Sequence, residues 1–128
     1  MRIASLLENL KIEKRIAVTP DIAKKFIDLG LELSLQEKYG VHLGISDDSF
    51  KSVGVKFIKD DKEIINNADL IIQLGLLSDE KLSLVKESQS VLGVLNPYDN
   101  KEKLDSLIKK KINLFSLELL PRITRAQS

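Results

Sequence analysis

The chain has 128 residues, 43% of them apolar and 30% charged, enough for one globular domain with a real hydrophobic core. Its 20 lysines and arginines nearly cancel 19 aspartates and glutamates, which argues against a dedicated nucleic-acid binder, where a basic excess is usual. With no cysteine, disulfides, thiol nucleophiles and thiolate metal sites are excluded.

The opening "MRIASLLENLKIEKR" lacks the apolar core of a signal peptide. No apolar run approaches the roughly 20 residues of a membrane span. The expectation is a cytoplasmic chain that does not itself insert into a membrane. "RIAS" reads as a first strand, followed by a polar stretch to Arg15. In "VTPDIAKKFIDLG" Thr19 can cap a helix, Pro20 suits its first position and Gly30 can close it. Ile22, Ala23, Phe26, Ile27 and Leu29 form its apolar stripe.

"LELSLQ" alternates as a strand does, "YGVHLGISD" is a glycine-bearing loop, and "DDSFKSVG" is a short helix closed by Gly54. "VKFI" is the third strand. Asp60 and Glu63 have the spacing of a capping box at the head of "DDKEIINNA". "DLIIQLGL" is an unbroken apolar run of the kind a parallel strand covered on both faces requires. Ser78 starts a helix to about residue 86, and "SVLGVL" is a fifth strand. Asp99 and Glu102 repeat the capping-box spacing before a helix to about residue 111, and "INLFSLEL" is the last strand. This strict alternation predicts one α/β domain over 1–128, flavodoxin-like or Rossmann-like, with three layers and a mainly parallel sheet.

Ligands of such sheets bind outside the carboxyl ends of the strands. The loops that matter are therefore 6–19, 39–48, 74–78, 96–100 and 121–128. None carries a G-x-x-x-x-G-K-[ST] or G-x-G-x-x-G phosphate motif, so no complete dinucleotide site is visible. His42 is the only histidine and has no matching carboxylate pattern, and no spacing suggests a metal site. The "DD" pairs at 47–48 and 60–61 suit helix N-termini, and the lysines at 109–111 suit a helix C-terminus. "LNPYDN" reads either as a strand-to-helix turn or as a ligand loop. Arg15 could clamp a carboxylate bidentately or serve structure alone. Arg122, Arg125 and Gln127 follow the last strand on the ligand edge, where Gln127 offers the donor and acceptor that a carboxamide needs.

"EKRIAVTPDIAKKFIDLG" resembles the E-x-R-V-A-x-T-P opening of the alanine dehydrogenase and pyridine-nucleotide transhydrogenase family. "LELLPRITRAQS" resembles the segment leading into that family's nucleotide domain in its transhydrogenase branch. "ADLIIQL" and "VLGVLNP" fall between them in the expected order. The resemblance implies the N-terminal domain of the alpha component of a proton-translocating NAD(P) transhydrogenase. An NAD(H)-binding Rossmann domain is then expected after it and is absent from this chain, so the chain alone should be inactive. Hydride would pass to NADP(H) on a partner subunit, coupled to proton movement through membrane subunits.

By the same resemblance Arg122 approaches the nicotinamide and diphosphate, and Gln127 hydrogen-bonds the carboxamide. The implied setting is a homodimer in the full-length protein, on the cytoplasmic side and peripheral to the inner membrane. The alanine dehydrogenase branch is the alternative. There Arg15 would bind substrate, but that branch's lysine falls at Gly75 and its histidine near Asn96. The family's G-I-P-x-E after the first strand appears here as "ASLLENL". A non-enzymatic binding or receiver module is a further alternative. Its acidic pair after the first strand and lysine after the fifth are missing.

Overall fold

The computed structural model describes residues 1–95 and 99–116. Within them six parallel strands form one sheet: β1 (Arg2–Ser5), β2 (Glu32–Leu35), β3 (Lys56–Phe57), β4 (Leu70–Gln73), β5 (Ser90–Gly93) and β6 (Asn113–Ser116). The helices between them are α1 (Pro20–Asp28), α2 (Asp47–Lys51), α3 (Asp61–Asn66), α4 (Asp79–Leu82) and α5 (Lys101–Lys109). A single 3-10 turn at Val41–Leu43 precedes α2. The α/β architecture and parallel sheet expected from the alternation are both present.

Sheet order is β3-β2-β1-β4-β5-β6, the doubly wound Rossmann order, so the chain runs outward from β1 to one edge and then from β4 to the other. Each half builds its own core. Ile3, Ala23, Leu33, Leu35, Tyr39 and Phe50 pack on one face, beneath α1 and α2. On the other face Ala4, Ile71 and Val91 meet Ile64 and Ile65 of α3, Leu82 of α4, and Leu104 and Leu107 of α5. Adjacent residues such as Ile3 and Ala4 feed opposite cores because side chains alternate along a strand.

Local chemistry accounts for most element ends. Thr19 caps α1 by accepting from the Ile22 N–H at 3.4 Å, Pro20 is its first residue, and Gly30 turns the chain back at φ +87°. Asp60 caps α3 through the Glu63 N–H at 2.9 Å, and Gly54 follows α2 at φ +106°.

Three expectations need correction. Leu29 does not join the α1 stripe. It sits at the helix C-cap, already rotated away from the core, and is 75% exposed. The fourth helix stops at Leu82 instead of near residue 86, because the Lys86 N–H bonds the Gln89 side chain and Ser88 adopts φ +74°. At α5 the N-cap position falls to Asn100 rather than Asp99, and its side chain donates to the Leu95 carbonyl at 3.0 Å.

Gly93 permits the closest approach in the sheet, since a Cβ there would overlap the Gln73 carbonyl of the adjacent strand. Overpacking of this kind costs about 1–3 kcal/mol. Gly93→Ala is expected to lower the stability measured by urea unfolding by at least that order; parental stability would mean that β4 and β5 do not meet this tightly.

Candidate functional site

β1 and β4 are neighbours, but their backbone pairing is registered only at Ile3↔Leu70 and Ala4↔Ile71. Beyond it the chain leaving β1 turns toward one half of the sheet and the chain leaving β4 toward the other. This is the topological switch point, where open α/β sheets hold ligands. Backbone groups of residues 6 and 7 thereby lose ladder partners and must find others.

Two buried glutamines supply them. Gln73, at the end of β4, accepts from the Leu6 N–H and donates to the Leu6 carbonyl at 3.2 Å, the pattern of a peptide group in a ladder. Gln36, just past β2, accepts from the Leu7 N–H at 2.8 Å. Its amide nitrogen donates to the Lys59 carbonyl at 3.2 Å and to Asp61 Oδ1 at 2.6 Å. The segment is clamped from both sides.

Tyr39 adds a second fastening. Its buried hydroxyl accepts from the N–H groups of Ala17 and Val18 at 3.1 and 3.2 Å and shares a 2.7 Å bond with Ser5 Oγ. Ser5 Oγ donates to the Ile72 carbonyl, so the shared proton is the tyrosine's. Burial pushes the Tyr39 hydroxyl above its ordinary pKa. His42 Nε2 donates to the Lys14 carbonyl at 2.6 Å, which ties the 3-10 turn to the same loop.

A crevice of about 600 Å³ opens beside these contacts, lined by Glu8, Glu13, Gln73, Gly75, Lys81 and Asn100 among others. Glu8 is half-buried in its wall. One carboxylate oxygen accepts from the Leu74 N–H at 2.8 Å and from Gln73 Nε2 at 3.1 Å, the other from the Gly75 N–H at 3.1 Å. Burial raises its pKa, the two N–H groups oppose that rise, and the Glu13 charge adds to it.

Arg15 lies on the same loop but points its guanidinium at Glu13. Nε and Nη2 meet the two carboxylate oxygens at 3.0 and 2.8 Å, while most of the arginine stays exposed. This internal fork holds the Glu13 pKa at about 2 and occupies the geometry that a substrate carboxylate would need. Gly75 faces the crevice with no side chain. Arg122, Arg125 and Gln127 lie outside the described residues, as does Asn96.

Glu8, Gln36, Gln73, Tyr39 and Ser5 were not singled out by their sequence. The available signal was a polar residue ending each of two apolar strands, "LELSLQ" and "LIIQ", where a buried strand predicts an apolar one.

Tyr39→Phe leaves two N–H groups facing a ring, and each buried unsatisfied donor costs about 1–3 kcal/mol. Thermal or urea unfolding is expected to register a loss of that order, and an unchanged stability would remove the hydroxyl from this role. Because the Glu13 pKa is depressed, its stabilising contribution is complete above the ordinary value of 4.5 and fades as pH falls through about 2. Carboxyl NMR titration is expected to find Glu13 ionised down to that pH and returned toward 4.5 in Arg15→Ala; equal titration in both chains would break the pairing.

Comparison with known proteins matches this architecture throughout the chain. An NAD(P) transhydrogenase alpha subunit from Rickettsia prowazekii is 35% identical over 132 residues, covering 100% of this chain and 34% of that protein. Alanine dehydrogenase 1 from Staphylococcus aureus is 24% identical over 127 residues, covering 99% and 34% respectively. The crystal structure of transhydrogenase from Sinorhizobium meliloti superimposes with a TM-score of 0.89 at 25% identity, covering 99% of this chain and 38% of that one. The chain thus spans about a third of the length of these relatives. Residues 6–128 match the family described as "Alanine dehydrogenase/PNT, N-terminal domain", and the chain belongs to that family.

Proposed function

We propose that this chain is the N-terminal domain of an NAD(P) transhydrogenase alpha subunit and helps to orient NAD(H) for hydride transfer to NADP(H) on a partner subunit. The observation that carries this reading is the chain-long similarity to a transhydrogenase alpha subunit, at higher identity than to alanine dehydrogenase. Two features of the site favour the same branch. Arg15 is already forked onto Glu13, and Gly75 stands where the alanine dehydrogenase branch has its substrate lysine.

The crevice itself does not suit a diphosphate. The turn after β1 reads "LLENLK", with no glycine to let phosphate approach the backbone and with the Glu8 carboxylate directed inward. The nucleotide is therefore assigned to a second domain of the longer protein, and this chain contributes orientation. The bound nicotinamide supplies the hydride.

After β6, Arg122 approaches the nicotinamide and diphosphate, and Gln127 hydrogen-bonds the carboxamide through its own donor and acceptor. The complete subunit is read as a homodimer at the cytoplasmic side of the inner membrane, held there by NADP-binding and membrane subunits that couple transfer to proton movement. Among the described residues no helix is long and apolar enough to cross a membrane, which fits a peripheral place.

Misplacement of a reacting group by about 1 Å costs about a hundredfold in rate. In the complete subunit with its partners, Gln127→Asn and Arg122→Ala are each expected to slow NADH-to-NADP hydride transfer by about that factor. Stability is expected to change by no more than about 0.5 kcal/mol, as for exposed substitutions. Unaltered turnover in both variants would remove this loop from the nicotinamide.

A further inference from the structure

Three donors converge on Glu8 from one direction. The Leu74 and Gly75 N–H groups are successive backbone donors past the end of β4, and Gln73 Nε2 lies beside them at 1% exposure. Their placement does not depend on Glu8. The first two belong to the chain leaving a core strand, and the Gln73 amide is oriented by its bonds to the Leu6 backbone. Such an array is the backbone counterpart of the donor sets that hold anions elsewhere in proteins.

The acceptor, by contrast, arrives on a tether. Glu8 extends from a loop whose neighbours Leu7 and Asn9 are exposed. Its carboxylate forms a section of the wall of the 600 Å³ crevice, so a ligand group could take its position without disturbing the core. Lys81 lines the same crevice and favours negative charge there, while Lys103 is engaged by Asp79 at 3.1 Å.

We propose that the Leu74 and Gly75 N–H groups and the Gln73 amide form a carboxylate site that the chain fills with its own Glu8, which makes Glu8 the residue that bars small anionic ligands from the crevice. This goes beyond hydride transfer and does not depend on it. The parent chain is closed to small carboxylates at neutral pH, and removing the Glu8 side chain opens the same donors to a monocarboxylate from solution.

Acetate is the probe, with chloride at equal ionic strength as control and backbone amide NMR as the readout. Glu8→Ala is expected to show saturable shifts of the Leu74 and Gly75 amides with acetate, and an affinity about tenfold or more above the parent's. A folded Glu8→Ala chain without saturable shifts, or a parent chain that responds equally, overturns the proposal. Glu8→Gln tests it without relying on the smaller side chain. It keeps the volume but loses the charge and one acceptor oxygen, so Leu74 or Gly75 amide exchange is expected to accelerate by about tenfold. Unchanged exchange at both amides also overturns the proposal.

Discussion

The structure turns on how the chain leaves β1. A parallel sheet that winds outward in both directions from its middle must separate a pair of neighbouring strands, and separating them strips hydrogen-bond partners from the backbone at the split. Gln73 and Gln36 resolve this because a primary amide carries the same donor and acceptor pair as a peptide group. Gln73 continues the β1–β4 ladder by side chain where backbone pairing has stopped, and Gln36 does the corresponding work toward β2. The split stays open without leaving orphaned groups. Among the described residues no buried side-chain nitrogen or oxygen lacks a partner.

The remaining features of the site follow from that clamp. Once residues 6 and 7 are fixed, Ser5 faces Tyr39, and Tyr39 gathers the returning segment at Ala17 and Val18. Glu8 is delivered to the end of β4, while Glu13 and Arg15 satisfy each other farther along the loop. The crevice is consequently lined by charge that is already spoken for. A domain with its anion-binding donors and its guanidinium both internally occupied is better suited to shaping the surroundings of a nucleotide than to gripping a substrate carboxylate.

Much of the fold was legible in the sequence because its signals are local. Thr19, Pro20 and Gly30 mark the ends of α1, Asp60 marks the start of α3, and the apolar runs mark strands covered on both faces. Leu29 and the length of α4 were misread where a turn overrode the helical period. The clamp was not legible, since Gln73 and Leu6 are 67 residues apart and no periodicity announces their pairing. Arg15 was recognised as a carboxylate clamp, yet only the folded loop identifies the carboxylate as Glu13. Arg122 and Gln127 were reached by position on the ligand edge and by family resemblance, and their roles belong to the proposal.

The most direct test of that proposal follows the hydride itself. The complete subunit, assembled with its partners in membranes, is given NADH deuterated at the transferring position together with an NADP analogue. The account predicts that the deuterium appears in the reduced analogue, and that alanine does not support NAD reduction by the same protein. Alanine-dependent NAD reduction without transfer of label would contradict it.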